Sequence, residues 1–200
     1  TGTDNTAVSY SLVSNTTGSG NTAVGKSALN ANTTGTSNVA VGAKALDANT
    51  TASQNTAVGY NTLTATTTGA ANTAVGFEAL GFNSTASNNV GIGWRALYVN
   101  TGHSNTAIGK SALAANTTAV GSVAVGANAL DALTTGSSNV AVGSTAGGSI
   151  TTGIRNVCIG ESAGDHSPAL TTGDYNVIIG AFADATTAGA SAANVIGYNV

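Results

Sequence analysis

The chain has 200 residues, 6% charged and 4% aromatic, with 27 Gly, no Met, one Cys and a formal charge of −3. That balance lacks the basic stripe of a nucleic-acid binder. No apolar run approaches the roughly 20 residues of a membrane span, so neither nucleic acid nor membrane insertion is expected. A Gly/Ser/Thr/Asn-rich composition suits disorder, but β-branched residues recur here in a fixed register that a disordered linker has no reason to keep.

The first element is N-T-A-V at residues 5–8, and it returns as N-[TV]-A-[VI]-G. Its starts fall at residues 5, 21, 38, 55, 72, 89, 105, 122, 139, 156, 176 and 194. The spacing is 16 or 17 residues up to 156 and then 20 and 18. Residues 1–155 therefore read as regular coils, and 156–200 as longer, irregular coils forming a capping or transition zone. Position 1 of each unit is Asn (Asn21, Asn38, Asn55, Asn72, Asn89, Asn105, Asn139, Asn156), with Ser122 the exception. In the eleven complete units position 2 is β-branched, position 3 small apart from Ile178, position 4 Val or Ile, and position 5 Gly apart from Ser9. Such alternation closed by Gly predicts a short strand and a bend, with positions 2 and 4 on one face and position 3 on the other.

Next comes a segment ending in Ala-Leu, as at Ala28-Leu29 and Ala96-Leu97, and then a polar Asn-Thr-Thr-Gly turn. Gly spacing leaves no stretch long enough for a helix. Seventeen residues are too few for a helical hairpin or a propeller blade. The period predicts an all-β parallel β-solenoid, or β-roll, whose coils rise by about 4.8 Å to give a rod of roughly 50–60 Å. The position-1 Asn side chains are expected to stack as a ladder, each amide bonding to those above and below. Where the Leu becomes Gly147 or Gly164, an apolar Ile150 or Leu170 replaces the Asn of the following turn. Apolar volume moves to another wall, as it does in a packed interior.

Each coil offers few apolar side chains against an ordering cost of roughly 1–2 kcal/mol per residue. The strand has two non-polar faces and a narrow interior needs one. The spare face, with small residues that let backbones approach, predicts a parallel homotrimer.

The pattern NTAVGxxALxxNTTGxx, seen at 21–37, 55–71 and 105–120, resembles repeats of bacteriophage tail-fibre proteins. It is similar also to the shorter S-V-A-I-G repeats in the heads of trimeric autotransporter adhesins. The resemblance covers nearly the whole chain. It implies a left-handed, trimeric structural segment of a fibre on a virion or cell surface, serving as rigid spacer and possible host-attachment adhesin. A bacterial adhesin head and a self-assembling extracellular filament are the alternatives. These residues carry no coiled-coil stalk, membrane anchor or self-cleaving chaperone domain, and they read as a segment of a longer protein. An ice-binding solenoid is a further alternative, but the turn threonines are adjacent and not in Thr-x-Thr spacing.

No catalytic constellation emerges, and no enzyme, cofactor or metal is expected. Asp165-His166-Ser167 holds triad residue types, but neighbours on one loop cannot adopt triad geometry. His103 and His166 stand apart from any Cys or carboxylate at ligand spacing. Cys158 takes the small inward position usually held by Ala and reads as a buried hydrophobe. Gly91 and Gly93 form a G-x-G with no helix after it, and the Asp that calcium-binding β-roll repeats need is missing. Asn32 and Asn49 are nominal glycosylation sequons arising from the repeat.

One cluster stands out. Tyr60, Phe77 and Trp94 occupy position 6 in three successive coils, with Glu78 and Arg95 beside them and Phe82 and Tyr98 in the same coils. An aromatic stripe with polar neighbours can contact a cell-surface glycan or a protein receptor. The other reading is packing, in which these rings fill a groove between subunits or cover the Ala-Leu segment.

Overall fold

The computed structural model describes residues 2–165, 169–185, 187 and 189–198. The chain forms two compact units, residues 1–101 and 102–200. Each is a parallel β-solenoid whose coils repeat about every 17 residues, and no helix occurs among the described residues. His166 and Ser167 lie outside them.

In the first unit, β1 (Thr6–Val8), β2 (Thr22–Val24), β3 (Val39–Val41), β4 (Thr56–Val58), β5 (Thr73–Val75) and β6 (Val90–Ile92) pair in parallel in chain order. In the second, β7 (Thr106–Ile108), β8 (Val123–Val125), β9 (Val140–Val142), β10 (Val157–Ile159), β11 (Val177–Ile179) and β12 (Asn194–Ile196) do the same. Position 2 faces position 2 throughout, including across the 20-residue step from Val157 to Val177.

The last coil corrects the register read from sequence. Asn194 pairs with Val177, a position-2 residue, so position 1 of this coil is Ala193. The Ala193 N–H takes the place of an Asn N–H and donates to Asn176 Oδ1 at 2.9 Å. In this register Val195 lies in line with Ile178, Ile196 and Gly197 take positions 4 and 5 as Ile179 and Gly180 do, and the Asn of the sequence motif lies one residue too late for position 1.

Inward and outward faces follow from alternation. The position-3 residues, Ala23, Ala40, Ala57, Ala74, Ala107, Ala124 and Ala141, are fully buried, with Leu29, Leu46, Leu63, Leu80, Leu97, Leu113 and Leu130 against them. The small-residue face is therefore the interior. That is the inward place read from sequence for Cys158, which is 1% exposed, and it overturns only the expectation that small residues bring chains together on a spare outer face; the outer face instead carries the β-branched files of positions 2 and 4, partly exposed at Val41, Val58, Ile92, Ile108 and Val142. Ala is favoured inside because the opposite wall of so thin a coil stands close, and Leu from that wall already fills the space.

The Ala-Leu wall is a backbone ladder without strand geometry. Leu29 N–H donates to Ala45 O, and Leu46, Leu63 and Leu80 repeat the bond to the next coil at 2.9–3.1 Å. Each of these leucines has φ of 50–52°. The left-handed conformation costs a non-glycine residue roughly 1–2 kcal/mol, and burying a Leu side chain returns roughly 1.5–3 kcal/mol. Gly147 and Gly164 hold the same conformation without a side chain. Ile150 Cδ1 then comes within 3.1 Å of where the Gly147 Cβ would lie, and Cys158 Sγ within 2.8 Å of where that of Gly164 would lie. Both of the compensating residues, Ile150 and Leu170, are fully buried.

The glycine after each strand is set by its neighbour. A Cβ on Gly76 would stand 2.7 Å from Gly93 O and 2.8 Å from Gly93 C, and the φ of Gly76 is 128°. Backbone of consecutive coils touches here, so no side chain fits.

Candidate functional site

Two features of the sequence were open to a role, the Asn file and the aromatic cluster. The position-1 residues Asn21, Asn38, Asn55, Asn72, Asn89, Asn105, Asn139 and Asn156 are all fully buried. In the first unit each Oδ1 accepts the backbone N–H of the Asn in the following coil, from Asn5 through to Asn89, at 2.9–3.0 Å. Direct amide-to-amide bonds accompany this relay at several steps, for example Asn38 Nδ2 to Asn21 Oδ1 at 3.2 Å. The Nδ2 atoms also close each coil on its own turn: Asn21 donates to Gly35 O, Asn38 to Ala52 O, Asn55 to Gly69 O and Asn72 to Ala86 O, each at 2.9 Å. In the second unit Ser122 N–H donates to Asn105 Oδ1, and Asn139 N–H to Ser122 Oγ at 3.2 Å. Serine thus passes the relay on, because its hydroxyl oxygen still accepts. Asn139, Asn156 and Asn176 continue it.

Sequence reasoning misses a second Asn file. Asn32 Nδ2 donates to Asn15 Oδ1 at 2.9 Å and Asn49 Nδ2 to Asn32 Oδ1 at 2.7 Å. Both reach the carbonyls that the first file uses, Gly35 O and Ala52 O. Their 17-residue recurrence is visible in the sequence, but Asn-Thr-Thr-Gly looks like a solvated turn and hides it. Asn32, Asn49, Asn83 and Asn116 are fully buried, so these sequons are closed to a glycosylating enzyme once the chain is folded. At Thr66 the file is interrupted. Thr66 Oγ1 donates to Asn83 O, and Asn49 Oδ1 is left buried with no hydrogen-bond partner.

The turn threonines divide by role. Thr16, Thr33, Thr50 and Thr67 donate their hydroxyls to the backbone of the next coil. Their followers Thr17, Thr34, Thr51 and Thr68 are exposed, a single file and not a two-file array.

The aromatic cluster lies on the outside of the first unit. Tyr60, Phe77 and Trp94 are 46%, 41% and 42% exposed. Tyr60 and Phe77 stack with centroids 5.6 Å apart and planes at 15°. The Arg95 guanidinium lies 4.7 Å from the Trp94 ring and 4.6 Å from that of Tyr98, and its Nε donates to Glu78 Oε2 at 2.7 Å. Phe82 meets Tyr98 edge to face at 5.0 Å. The left-handed backbone at Glu78 and Arg95, φ 55° and 53°, sets their side chains beside the position-6 rings. The cluster is thus a surface of aromatic faces with its one cation already paired.

Among the described residues no three His, Cys, Asp or Glu side chains gather as a metal site requires. No helix among the described residues is long and apolar enough to cross a membrane. Cys158 is a buried free thiol. Burial, with smaller contributions from Asp184 and Asp165, pushes its pKa up to about 12, which makes it a poor nucleophile. Burial and the nearby Asp165 raise the pKa of Asp131. Asp165 also accepts a hydrogen bond from Ser149 Oγ.

No protein-family model matches the chain, and neither a curated protein nor a solved structure does.

Proposed function

We propose that the chain is a structural segment of a trimeric surface fibre of the phage tail-fibre type, a rigid spacer that also presents an attachment surface. The observation that supports this most is the outward strand face. Parallel sheets occur almost only with both faces covered. Here the inner face is packed by Ala and Leu, while the outer face carries one unbroken file of partly exposed Val and Ile at position 4 in each unit, beside a file at position 2 that mixes Val with Thr. A face of that kind calls for a partner, and further copies of the chain in closed rotational symmetry cover it on every protomer alike. The resemblance of the repeat to tail-fibre and autotransporter repeats favours three copies, a left-handed coil, and display on a virion or cell surface. In this reading residues 156–200 form a capping or transition zone. Three aromatic clusters per fibre segment give weak contacts that avidity strengthens.

Sedimentation equilibrium tests the assembly. The expected mass is three times the chain mass of 19.1 kDa. Val58→Lys combined with Ile92→Lys, both on the outer face, is expected to give a folded species of lower mass. A wild-type chain that is folded and stable at its single-chain mass rejects the proposal.

A further inference from the structure

Beside the aromatic file, Asn61, Thr64, Glu78, Gly81, Phe82 and Tyr98 line a shallow, open hollow of about 60 Å³. Its walls differ in kind. Phe82 is 55% exposed and is held edge to face against Tyr98, so an aromatic surface stands open to solvent. Thr64 brings a hydroxyl, Glu78 a carboxylate, and Asn61 an amide whose Oδ1 is buried with no hydrogen-bond partner. Gly81 keeps the hollow clear, since a Cβ there would lie 3.4 Å from the Tyr98 ring. A buried acceptor without a donor is unfavourable, and rotation of the Asn61 amide into the hollow it lines lets a ligand hydroxyl supply the partner it lacks.

We infer that this hollow binds one ring of a neutral pyranose sugar. A pyranose has an apolar C–H flank, which stacks on an aromatic ring such as Phe82, and a rim of hydroxyls that donate to amide and carboxylate oxygens such as those of Asn61 and Glu78. The charge pattern selects a neutral ligand. A ligand cation has to displace Arg95, which already bonds Glu78 at 2.7 Å and lies against Trp94 and Tyr98. A ligand carboxylate meets Glu78. The size allows no more than one ring, seated by part of its surface, since about 60 Å³ lies far below the roughly 300–1,000 Å³ of pockets that enclose larger ligands. The inference deepens the attachment part of the function proposed above and rests on it for a biological role.

The test uses the intact chain and four probes, the methyl pyranosides of glucose, galactose, mannose and N-acetylglucosamine. Saturation-transfer NMR and the fluorescence of Trp94, the chain's single Trp, report binding. At least one probe is expected to bind through its ring C–H protons. Phe82→Ala and Asn61→Gly, the latter chosen because Asn61 has φ 53°, should each weaken it about five- to tenfold with the circular-dichroism spectrum unchanged. If one variant fails to fold, the other decides. Binding of none of the four sugars, equal binding by the folded variants, or preferential binding of tetramethylammonium or acetate overturns the inference. Sugar binding by a single-chain species supports the site and sinks the trimer; a trimer that binds no probe does the reverse.

Discussion

Replacing Asn72 with Asp changes one atom, and the structure fixes what that atom meets. Asn72 Nδ2 donates to Asn55 Oδ1 at 3.1 Å and to Ala86 O at 2.9 Å, while Oδ1 accepts from Asn89 N–H at 3.0 Å. An oxygen in place of Nδ2 faces two acceptors at a fully buried position. Below about pH 4 the carboxyl is neutral in both folded and unfolded chains, and its O–H satisfies one of the two acceptors, so the cost is about 1 kcal/mol. Burial raises the pKa of the folded carboxyl by about 3–5 units, to roughly 7–9. The folded chain then holds its proton more tightly than the unfolded chain. Stability is whole below the unfolded pKa and falls by about 1.4 kcal/mol per unit as pH rises towards the folded pKa. At pH 7 that amounts to about 4 kcal/mol. Asn72→Ser keeps the relay, as Ser122 does, and leaves Ala86 O its bond from Asn83 Nδ2 at 3.0 Å. Its cost should be about 1–2 kcal/mol at every pH. Urea unfolding of both variants between pH 3.5 and 8 measures the difference. A gap between them that does not widen with pH would mean that position 1 is solvated, and would refute the reasoning.

Gly76→Ala should destabilise by at least about 3 kcal/mol, because its Cβ collides with the Gly93 backbone. Gly81→Ala should stay within about 1 kcal/mol, as its Cβ would meet only Glu78 O at 3.2 Å and the movable Tyr98 ring; equal melting temperatures for the two variants would contradict the close approach. Thr66→Asn should stabilise by about 1–2 kcal/mol by giving Asn49 Oδ1 a donor, and a lower urea midpoint would show that the site cannot take the amide. Cys158 should resist iodoacetamide until the chain unfolds. Its raised pKa, about 12, also predicts stability that is complete below the unfolded thiol pKa near 8.5 and declines by up to about 1.4 kcal/mol per pH unit above it. Cys158→Ala should flatten that alkaline limb, and an unchanged limb would assign it to other groups.

The coil was legible because its determinants recur. Val or Ile at position 4, Gly at position 5 and Asn at position 1 each report one contact with the next coil, and repetition makes that contact visible. Which strand face lies inside was less legible, since a small residue such as Ala40 or Ala57 fits either a tight interior or a tight interface. Only the buried Leu wall opposite Ala23 and its counterparts decides it. The left-handed Leu29 and its equivalents carried no sequence signal at all, because leucine is not a residue that marks that conformation. Tyr60, Phe77 and Trp94 were legible as a file because they share a position, whereas the hollow beside them was not. Asn61 and Glu78 share one position of the coil and Thr64, Gly81 and Tyr98 another, each 17 residues apart, but the residue type changes at every step and hides the file, and only the fold sets Phe82 against Tyr98 beside them.

The contact between successive glycines has a consequence for how such a chain changes over generations. Positions 1 to 5 touch the same atoms of the neighbouring coil at every step, so they tolerate no gain or loss of a residue. Length varies elsewhere: the coil that begins at Asn5 is one residue short between Tyr10 and Ser11, and the coil that begins at Asn156 has three more between Asp165 and Leu170. Recombination that cuts two coils at equivalent places joins surfaces that already match, because each coil contacts only its neighbours. A cut out of phase sets a side chain where Gly76 or Gly93 allows none. Inheritable changes in length are therefore counted in whole coils, and the sequence can drift freely only where the loops face water.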